Sequence, residues 1–233
     1  MNIDKVADLN AIVSKKSNVL FLDTCILLDI IRDVTRDGVT KANTIACLDL
    51  LSKAENNDEI FVLVAPQVRS ELIDNEANVK KESTDSLEKF IERIIKVDDI
   101  LSEYGSPDKV YISHLNNYIS HAMNILNRWK KVAYLIPQND DVVNRAFSRV
   151  TLSRSPARKG KDSIKDCVVT ETYLDYAEAL RGLGLTSNII FVSSNTKDYC
   201  DNRSLCNDLV SDFGRFNIIY SPNLGAARHN LTR

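Results

Sequence analysis

The sequence has little of what marks a fibrous, secreted or membrane protein. Glycine occurs 7 times and proline 5 times in 233 residues, which excludes collagen-like repeats and the Gly/Pro-rich composition of many disordered chains. No apolar run approaches the roughly 18 residues that a membrane helix needs. The N-terminal stretch also lacks the successive basic, apolar and small-residue zones of a signal peptide. We therefore expect a soluble, cytoplasmic protein with no membrane partner.

A charge excess and a cysteine motif are absent as well. Lys and Arg number 30 against 32 Asp and Glu, so no overall positive field attracts nucleic acid. The 5 cysteines are odd in number and contain no C-x-x-C pair, which argues against a disulfide framework and against a zinc site. The remaining composition is ordinary for a globular protein, with 44% hydrophobic residues. We predict a single domain over residues 1–233.

Four short apolar runs predict buried strands. They are nearly continuous in Val, Ile, Leu and Phe, as expected when helices cover both faces of a parallel sheet. The runs are NVLFLD (18–23), EIFVLVA (59–65), NIIFVSS (188–194) and FNIIYS (216–221). Helical patterns alternate with these strands. The sequence therefore predicts an α/β fold class, a three-layer α/β/α architecture with a central, mainly parallel sheet.

Residues from about 79 to 150 show no strand pattern, and their apolar positions recur at helical spacing. We predict an all-helical insertion there, divided into two helices by YGSPD (104–108), because Gly and Pro this close together interrupt a helix. A further long helix is predicted from Asp162 to Arg181. Gly182 and Gly184 are available to end it.

Acidic and amide side chains follow three of the predicted strands. Asp23 closes the first run, Glu71 lies little more than one helical turn into the helix after the second, and Asn195 and Asp198 follow the third. Ligands of an open parallel sheet gather beyond the carboxyl ends of its strands. We therefore expect these side chains to converge on one pocket.

Two more carboxylates lie on the helix that leads to the third strand. Asp162 and Asp166 are four residues apart and share one face of its first two turns. Clustered carboxylates repel one another and normally need a cation. Oxygen ligands suit Mg²⁺ or Mn²⁺, and Mg²⁺ typically keeps several waters, one of which can attack a phosphodiester. The pattern predicts hydrolysis of a phosphoryl substrate.

Four segments in this order resemble a known family. FLDTCILLDI, APQVRSELIDNE, KDSIKDCVVTETYLDYAEAL and IIFVSSNTKDY are similar to the PIN domain of metal-dependent ribonucleases, and most to a larger PIN-like group with the SSNTKD ending. The resemblance implies an acidic core of Asp23, Glu71 and Asp166, with Mg²⁺ or Mn²⁺ as cofactor. It also implies single-stranded or structured RNA as substrate, and leaves a homodimer or an inhibitory partner protein open.

The predicted site combines the strand ends with this resemblance. Many family members carry a fourth Asp where this chain has Asn195, and Asp198 is assigned as its replacement. Whether one metal ion or two are bound stays open. The predicted catalytic residues are Asp23, Glu71, Asp166 and Asp198; the predicted metal ligands are Asp23, Glu71, Asp162 and Asp166; the predicted supporting residues are Thr24, Ser193 and Asn195. For Thr24, capping of its helix is favoured over support of Asp23.

A basic segment runs into the helix that carries Asp166. From Arg145 to Lys165 the chain has 7 basic residues against one acid. Such a segment can lead phosphates towards the site despite the neutral total. A solvated loop is the other interpretation. The residues predicted to bind nucleic acid are Arg154, Arg158, Lys159, Lys161 and Lys165.

Three functions fit these patterns to different degrees. The leading hypothesis is a metal-dependent endoribonuclease, with RNA or DNA as the substrate left open. The alternative is a catalytically degenerate PIN-like module that binds RNA or a protein, suggested by Asn195 in place of an acid. A haloacid dehalogenase-type phosphatase would need an Asp at the position of Cys25, which disfavours it.

Overall fold

A five-stranded parallel sheet forms the centre of the fold. The computed structural model describes residues 3–56, 60–106, 108–158 and 163–231. Its sheet has the order β3-β2-β1-β4-β7, and β5 with β6 forms a small separate hairpin. The strands are β1 (Asn18–Leu22), β2 (Ile60–Val64), β3 (Ala133–Leu135), β4 (Ile189–Val192), β5 (Cys200–Asp201), β6 (Ser204–Leu205) and β7 (Ile218–Ser221).

Helices cover the sheet and confirm the predicted three-layer α/β/α fold. They are α1 (Leu9–Lys15), α2 (Thr24–Asp29), α3 (Lys41–Glu55), α4 (Pro66–Glu103), α5 (Tyr118–Val132), α6 (Asp140–Thr151), α7 (Ile164–Gly182), α8 (Thr196–Tyr199), α9 (Asn207–Arg215) and α10 (Leu224–Leu231). A 3₁₀ turn (Ser113–Asn117) precedes α5. Helix α3 packs on α5 and α10, and α6 packs on α7. Among the described residues, none of these helices combines the length and the apolarity needed to cross a membrane.

The central strands are buried on both faces, which explains their continuous apolar runs. Every residue of β2 and β4 is buried, as are all residues of β1 after Asn18. Tyr173 of α7 stacks on Phe21 of β1 with ring centroids 4.5 Å apart. Its hydroxyl donates to the Leu22 carbonyl and accepts from the Ala65 amide. This one side chain therefore holds the carboxyl ends of β1 and β2 together.

The predicted helical insertion is only partly correct. Helix α4 is continuous from Pro66 to Glu103, so the predicted start of the insertion at residue 79 lies inside this helix. The helix ends directly before Tyr104, where the sequence YGSPD predicts a break. The prediction of no strand is wrong, because Ala133–Leu135 pairs in parallel with β2. Three residues that directly follow an amphipathic helix are too few to show a strand period, and their pairing with β2 is non-local.

Helix α7 agrees with its predicted length. It begins at Ile164 and ends at Gly182, while Asp162, its predicted first residue, lies outside the described residues. Gly184 has a left-handed φ of +89°, and its amide bonds the Arg181 carbonyl. A glycine at this position ends the helix without the steric cost that a side chain would carry.

Candidate active site

A cleft of about 760 Å³ opens beyond the carboxyl ends of β1 and β4. Strands β2 and β3 lie on one side of β1, and β4 and β7 lie on the other side. The cleft therefore lies between β1 and β4, where the strand order reverses. Asp23, Glu71 and Asp166 line it. They come from the end of β1, the second turn of α4 and the first turn of α7. Three distant chain segments thus bring carboxylates to one cleft, which we call the acidic cleft.

Asp23 is the most buried of these acids, with 6% of its surface exposed. Its Oδ1 accepts from the Thr24 amide at 2.7 Å, and its Oδ2 accepts from Ser193 Oγ at 2.5 Å and Cys25 Sγ at 3.3 Å. Burial raises the pKa of Asp23 and the charge of Glu71 adds to this, while the three hydrogen bonds act against it. Asp23 is the N-cap of α2, so the prediction that Thr24 caps the helix is wrong.

Thr24 instead connects two acids. Its amide binds Asp23, and its hydroxyl donates to Glu71 Oε2 at 2.8 Å. Gln67, one turn earlier on α4, donates to Glu71 Oε1 at 2.9 Å. Both carboxylate oxygens of Glu71 are therefore oriented by the protein.

Asp166 is half-buried in the first turn of α7. A carboxylate at this end of a helix is stabilised by the helix dipole. The hydroxyl of Thr170 donates to the Asp166 backbone carbonyl at 2.9 Å, inside the first turns of the helix. The metal role predicted for Asp162 falls outside the described residues and stays a prediction.

The SSNTKD turn forms a hydrogen-bonded chain behind Asp23. Ser193 Oγ donates to Asp23 and accepts from the Asn195 amide at 3.2 Å. Asn195 Nδ2 donates to Asp198 Oδ2 at 2.8 Å, and Asp198 Oδ1 lies 3.3 Å from Arg158 Nε. The described residues that line the acidic cleft include Asn195 but not the buried Asp198. Asp198 is therefore placed behind the cleft wall, two hydrogen-bonded residues from Asp23.

The cleft also contains charged residues that the sequence patterns missed. Asp29, at the end of α2, accepts from Ser194 Oγ at 2.6 Å. Its Oδ1 lies 3.4 Å from Arg32 Nε and 3.8 Å from an Arg36 guanidinium nitrogen. Both arginines and Lys197 line the cleft. The available signal was the position of Asp29 at the end of the short helix that Asp23 caps.

Most of the described basic segment is neutralised by acids that are distant in sequence. Arg149 is 4% exposed and pairs with Glu171 at 2.6 Å and Asp212 at 2.7 Å. Arg145 also binds Glu171, and Arg154 binds Asp212 at 2.9 Å. Helices α7 and α9 thus supply acidic partners for these arginines that local sequence does not reveal. These arginines line a separate cavity of about 300 Å³.

The structure describes only two of the remaining residues that were predicted to bind nucleic acid. Arg158 is half exposed and pairs with Asp198. Lys165 is exposed beside Asp166. Lys159 and Lys161 lie outside the described residues. Their roles in RNA binding stay predictions.

The donor chemistry of the acidic cleft fits a hard divalent cation. The described acids that line it are Asp23, Asp29, Glu71 and Asp166, and carboxylates are the donors that Mg²⁺ and Mn²⁺ prefer. Burial and the charge of Glu71 raise the pKa of Asp23, and a bound cation would lower it again. In the part of the chain that the structure describes, however, no three His, Cys, Asp or Glu side chains are grouped so as to hold a metal ion. Each carboxylate oxygen of Glu71 accepts one hydrogen bond, from Thr24 or from Gln67, and keeps a further lone pair for an ion.

The fold and cleft define a class of protein, an α/β/α domain with an acidic pocket at the carboxyl edge of a parallel sheet. The family model of the PIN domain matches residues 20–199, which is most of the chain. The protein therefore belongs to the PIN-domain family. PIN domains are generally nucleases and are typically Mg²⁺- or Mn²⁺-dependent. No curated protein and no solved structure gives a significant match to the chain.

Proposed function

We propose that this protein is a metal-dependent endoribonuclease that hydrolyses RNA phosphodiester bonds at the acidic cleft. The observation that carries the proposal is the convergence of Asp23, Glu71 and Asp166 from three separate elements. Membership of the PIN-domain family supports it. Mg²⁺ or Mn²⁺ held by these three acids would polarise the phosphodiester and lower the pKa of water.

The surrounding side chains orient the acids for this role. Thr24 fixes Asp23 through its amide and Glu71 through its hydroxyl, and Ser193 fixes the other oxygen of Asp23. We assign a positioning role to Asp198, because its contact with Asn195 leads through Ser193 to Asp23. Catalysis depends on such preorganisation, since a group that is already aligned need not reorganise in the transition state.

The substrate proposal depends on cations at the acidic cleft. Arg32, Arg36 and Lys197 line it and can contact phosphates beside the reacting bond. Arg158 and Lys165 precede Asp166 in the sequence, and we add them to the proposed phosphate-binding cations. Lys159 and Lys161 are also predicted to bind phosphate. A homodimer or an inhibitory partner protein stays a prediction.

The second candidate is a catalytically degenerate module that binds RNA or protein. Two observations favour it. Both oxygens of Glu71 are hydrogen-bonded by protein groups, and the described side chains contain no group arranged to hold a metal ion. Asn195 in place of an acid is consistent with the same view.

A cleavage assay separates the two candidates. End-labelled RNA and DNA of the same sequence would be incubated with the protein in Mg²⁺, Mn²⁺ or EDTA. We expect internal cleavage of RNA with Mg²⁺ or Mn²⁺ and none in EDTA. Asp23→Asn and Asp166→Asn should abolish it, while Asp74→Asn, an exposed acid one turn beyond Glu71, should not. RNA binding without cleavage in any metal would establish the degenerate module, and full activity in both site variants would reject the site.

A further inference from the structure

A second, mostly apolar cavity of about 220 Å³ adjoins the acidic cleft. The two cavities share several lining residues, so they lie side by side. The shared residues include Asp29, Arg36, Asn43, Ser194 and Asn223. A nucleic-acid strand lying in the acidic cleft would therefore pass the edge of this cavity, which we call the side pocket.

The walls of the side pocket come from α2, the loop that follows it, the start of α3, and α5. Ile26 contributes from α2, and Ile30 follows directly after its last residue. From α5, the contributing residues are Tyr118, His121, Ala122 and Ile125. Their i, i+3, i+4, i+7 spacing places them on one face of the helix. The region predicted as an insertion thus supplies one apolar and aromatic wall beside the acidic cleft.

The rim of the side pocket carries an amide that is open to a ligand. The side chain of Asn43 makes no hydrogen bond to any other residue in the part of the chain that the structure describes, and it is half-buried. Gly225 leaves it room, because a Cβ at that position would lie 2.7 Å from Asn43 Oδ1. Asn43 therefore places an amide without a partner among the described residues at the junction of the two cavities.

We propose that the side pocket receives one nucleobase of the RNA strand whose phosphate lies in the acidic cleft. This inference rests on the proposed function. A pocket of this size is below the range of about 300 to 1,000 Å³ typical of drug-sized ligands, and it suits a single ring system. Proteins read single-stranded RNA by stacking splayed-out bases on aromatic rings and hydrogen-bonding their edges. Tyr118 and Asn43 provide these two functions.

Charge complementarity favours a nucleotide as the occupant. Arg36 lies on the boundary between the side pocket and the acidic cleft, 3.8 Å from Asp29, and its side chain is 43% exposed. A cation at the boundary suits the phosphate that joins a base in the pocket to the bond in the cleft. The apolar walls suit the base, and the carboxylates suit the cation at the reacting phosphate. A nucleotide matches all three environments in this order.

The test compares RNA that carries every base with RNA that lacks one base at a time. A short RNA with one internal cleavage site would be made with a single abasic residue at each position near it. Binding would be measured by fluorescence anisotropy in the Asp166→Asn background with EDTA, and cleavage in the otherwise wild-type protein. The variants are Tyr118→Ala and Asn43→Ala. Their matched controls are Tyr104→Ala and Asn144→Ala, at exposed positions outside both cavities.

We expect one abasic position to weaken binding by about tenfold or more, as loss of a stacked base does. Tyr118→Ala should weaken binding of intact RNA similarly and should remove most of the difference between intact and abasic RNA. Asn43→Ala, which removes no wall of the core, should do so to a smaller degree. The two controls should behave as the parent protein. Melting curves of each variant identify any loss of fold.

Failure of this inference is distinct from failure of the proposed function. Cleavage that is indifferent to every abasic position, or equal affinities for Tyr118→Ala and Tyr104→Ala, would overturn the base pocket and leave the nuclease standing. Absence of cleavage with a base-dependent affinity that Tyr118→Ala and Asn43→Ala abolish would reject the nuclease and support the pocket.

Discussion

Arg158 Nε lies 3.3 Å from Asp198 Oδ1. The carboxylate is buried, with 2% of its side chain exposed, whereas the arginine is 49% exposed. The pair joins the segment before α7 to the SSNTKD turn, and through Asn195 and Ser193 it reaches Asp23. Contacts that hold the basic segment in place therefore also hold the oxygen of a predicted metal ligand.

The first prediction concerns this pair. Arg158→Ala should destabilise the protein by about 1 kcal/mol, because it removes one partner of a buried carboxylate while the exposed guanidinium limits the loss. Urea unfolding of both single variants and the double variant with Asp198→Ala would give the coupling energy. Lys96→Ala, exposed on α4, is the control. A coupling near zero would show that the pair contributes nothing to stability.

The second prediction concerns the pH dependence of metal-free stability. The pKa of Asp23 is raised in the folded state, mainly by burial, so the folded protein holds this proton more tightly than the unfolded chain. Protonated Asp23 therefore contributes to the free energy of unfolding below about pH 4, the pKa of Asp23 in the unfolded chain. This contribution is lost as the pH rises through the higher pKa of Asp23 in the folded protein. Asp23→Asn cannot lose a proton. Its melting temperature relative to wild type should rise as the pH increases from about 4 to about 7.

Thermal melts in EDTA at several pH values measure this difference. Asp74→Asn serves as the control, because an exposed acid should show no such trend. A difference between Asp23→Asn and wild type that does not change with pH would contradict the assignment of Asp23 as a carboxylate strained by burial.

The third prediction concerns metal binding. Mg²⁺ or Mn²⁺ should raise the melting temperature of the wild-type protein, since a ligand that binds only the folded state stabilises it, by about 2.7 kcal/mol at 100 times its dissociation constant. Glu71→Gln keeps the hydrogen bond from Thr24 possible but removes a charged ligand, so the shift should shrink. Calorimetric or fluorescence melts with and without metal measure it. An equal shift in Glu71→Gln would exclude Glu71 as a ligand.

The fourth prediction concerns the path of RNA. Arg32→Ser with Arg36→Ser should weaken RNA binding and reduce the slope of log K against log salt by about 0.7 for each lost phosphate contact. The triple variant of Arg154, Arg158 and Lys159 to Ser tests the segment predicted from sequence. Arg93→Ser with Lys96→Ser on α4 controls for lost charge. RNA binding would be titrated with salt, with Ca²⁺ in place of Mg²⁺ to limit turnover.

These variants distinguish two routes for the strand. A reduced slope in the Arg32 and Arg36 variant, with an unchanged slope in the triple variant, would place RNA over the acidic cleft. The reverse result would place it along the basic segment. Binding indistinguishable from the control in both variants would show that RNA enters by another surface.

The sequence was sufficient to predict the central strands of the sheet, because these strands are buried on both faces. A run such as NVLFL (18–22) is apolar at every position for that reason, and the same topology puts Asp23 at a strand end where a cleft is expected. The three-residue strand β3 was missed because its existence depends on pairing with β2 and not on its own composition.

The charges of the site were harder to predict than its position. Arg149 belonged to a local run of basic residues, yet its partners Glu171 and Asp212 lie 22 and 63 residues away along the chain. Burying an arginine without such partners would be costly, but local patterns do not contain them. The opposite error concerns Arg32 and Arg36. They line the acidic cleft, but nothing in their sequence spacing indicated that they face its acids.

Helix α4 has a consequence for how the sequence can change over evolution. The buried residues of this 38-residue helix are Val68, Leu72, Ser83 and Leu87, so its last four turns have no buried position. We expect substitutions in residues 88–103 that preserve helix propensity to leave the packing of the core and the contacts of Glu71 unchanged, apart from Asp98, which accepts from the Val110 amide. Most of this end of the helix can therefore acquire new surface properties without disturbing the carboxylates at its other end.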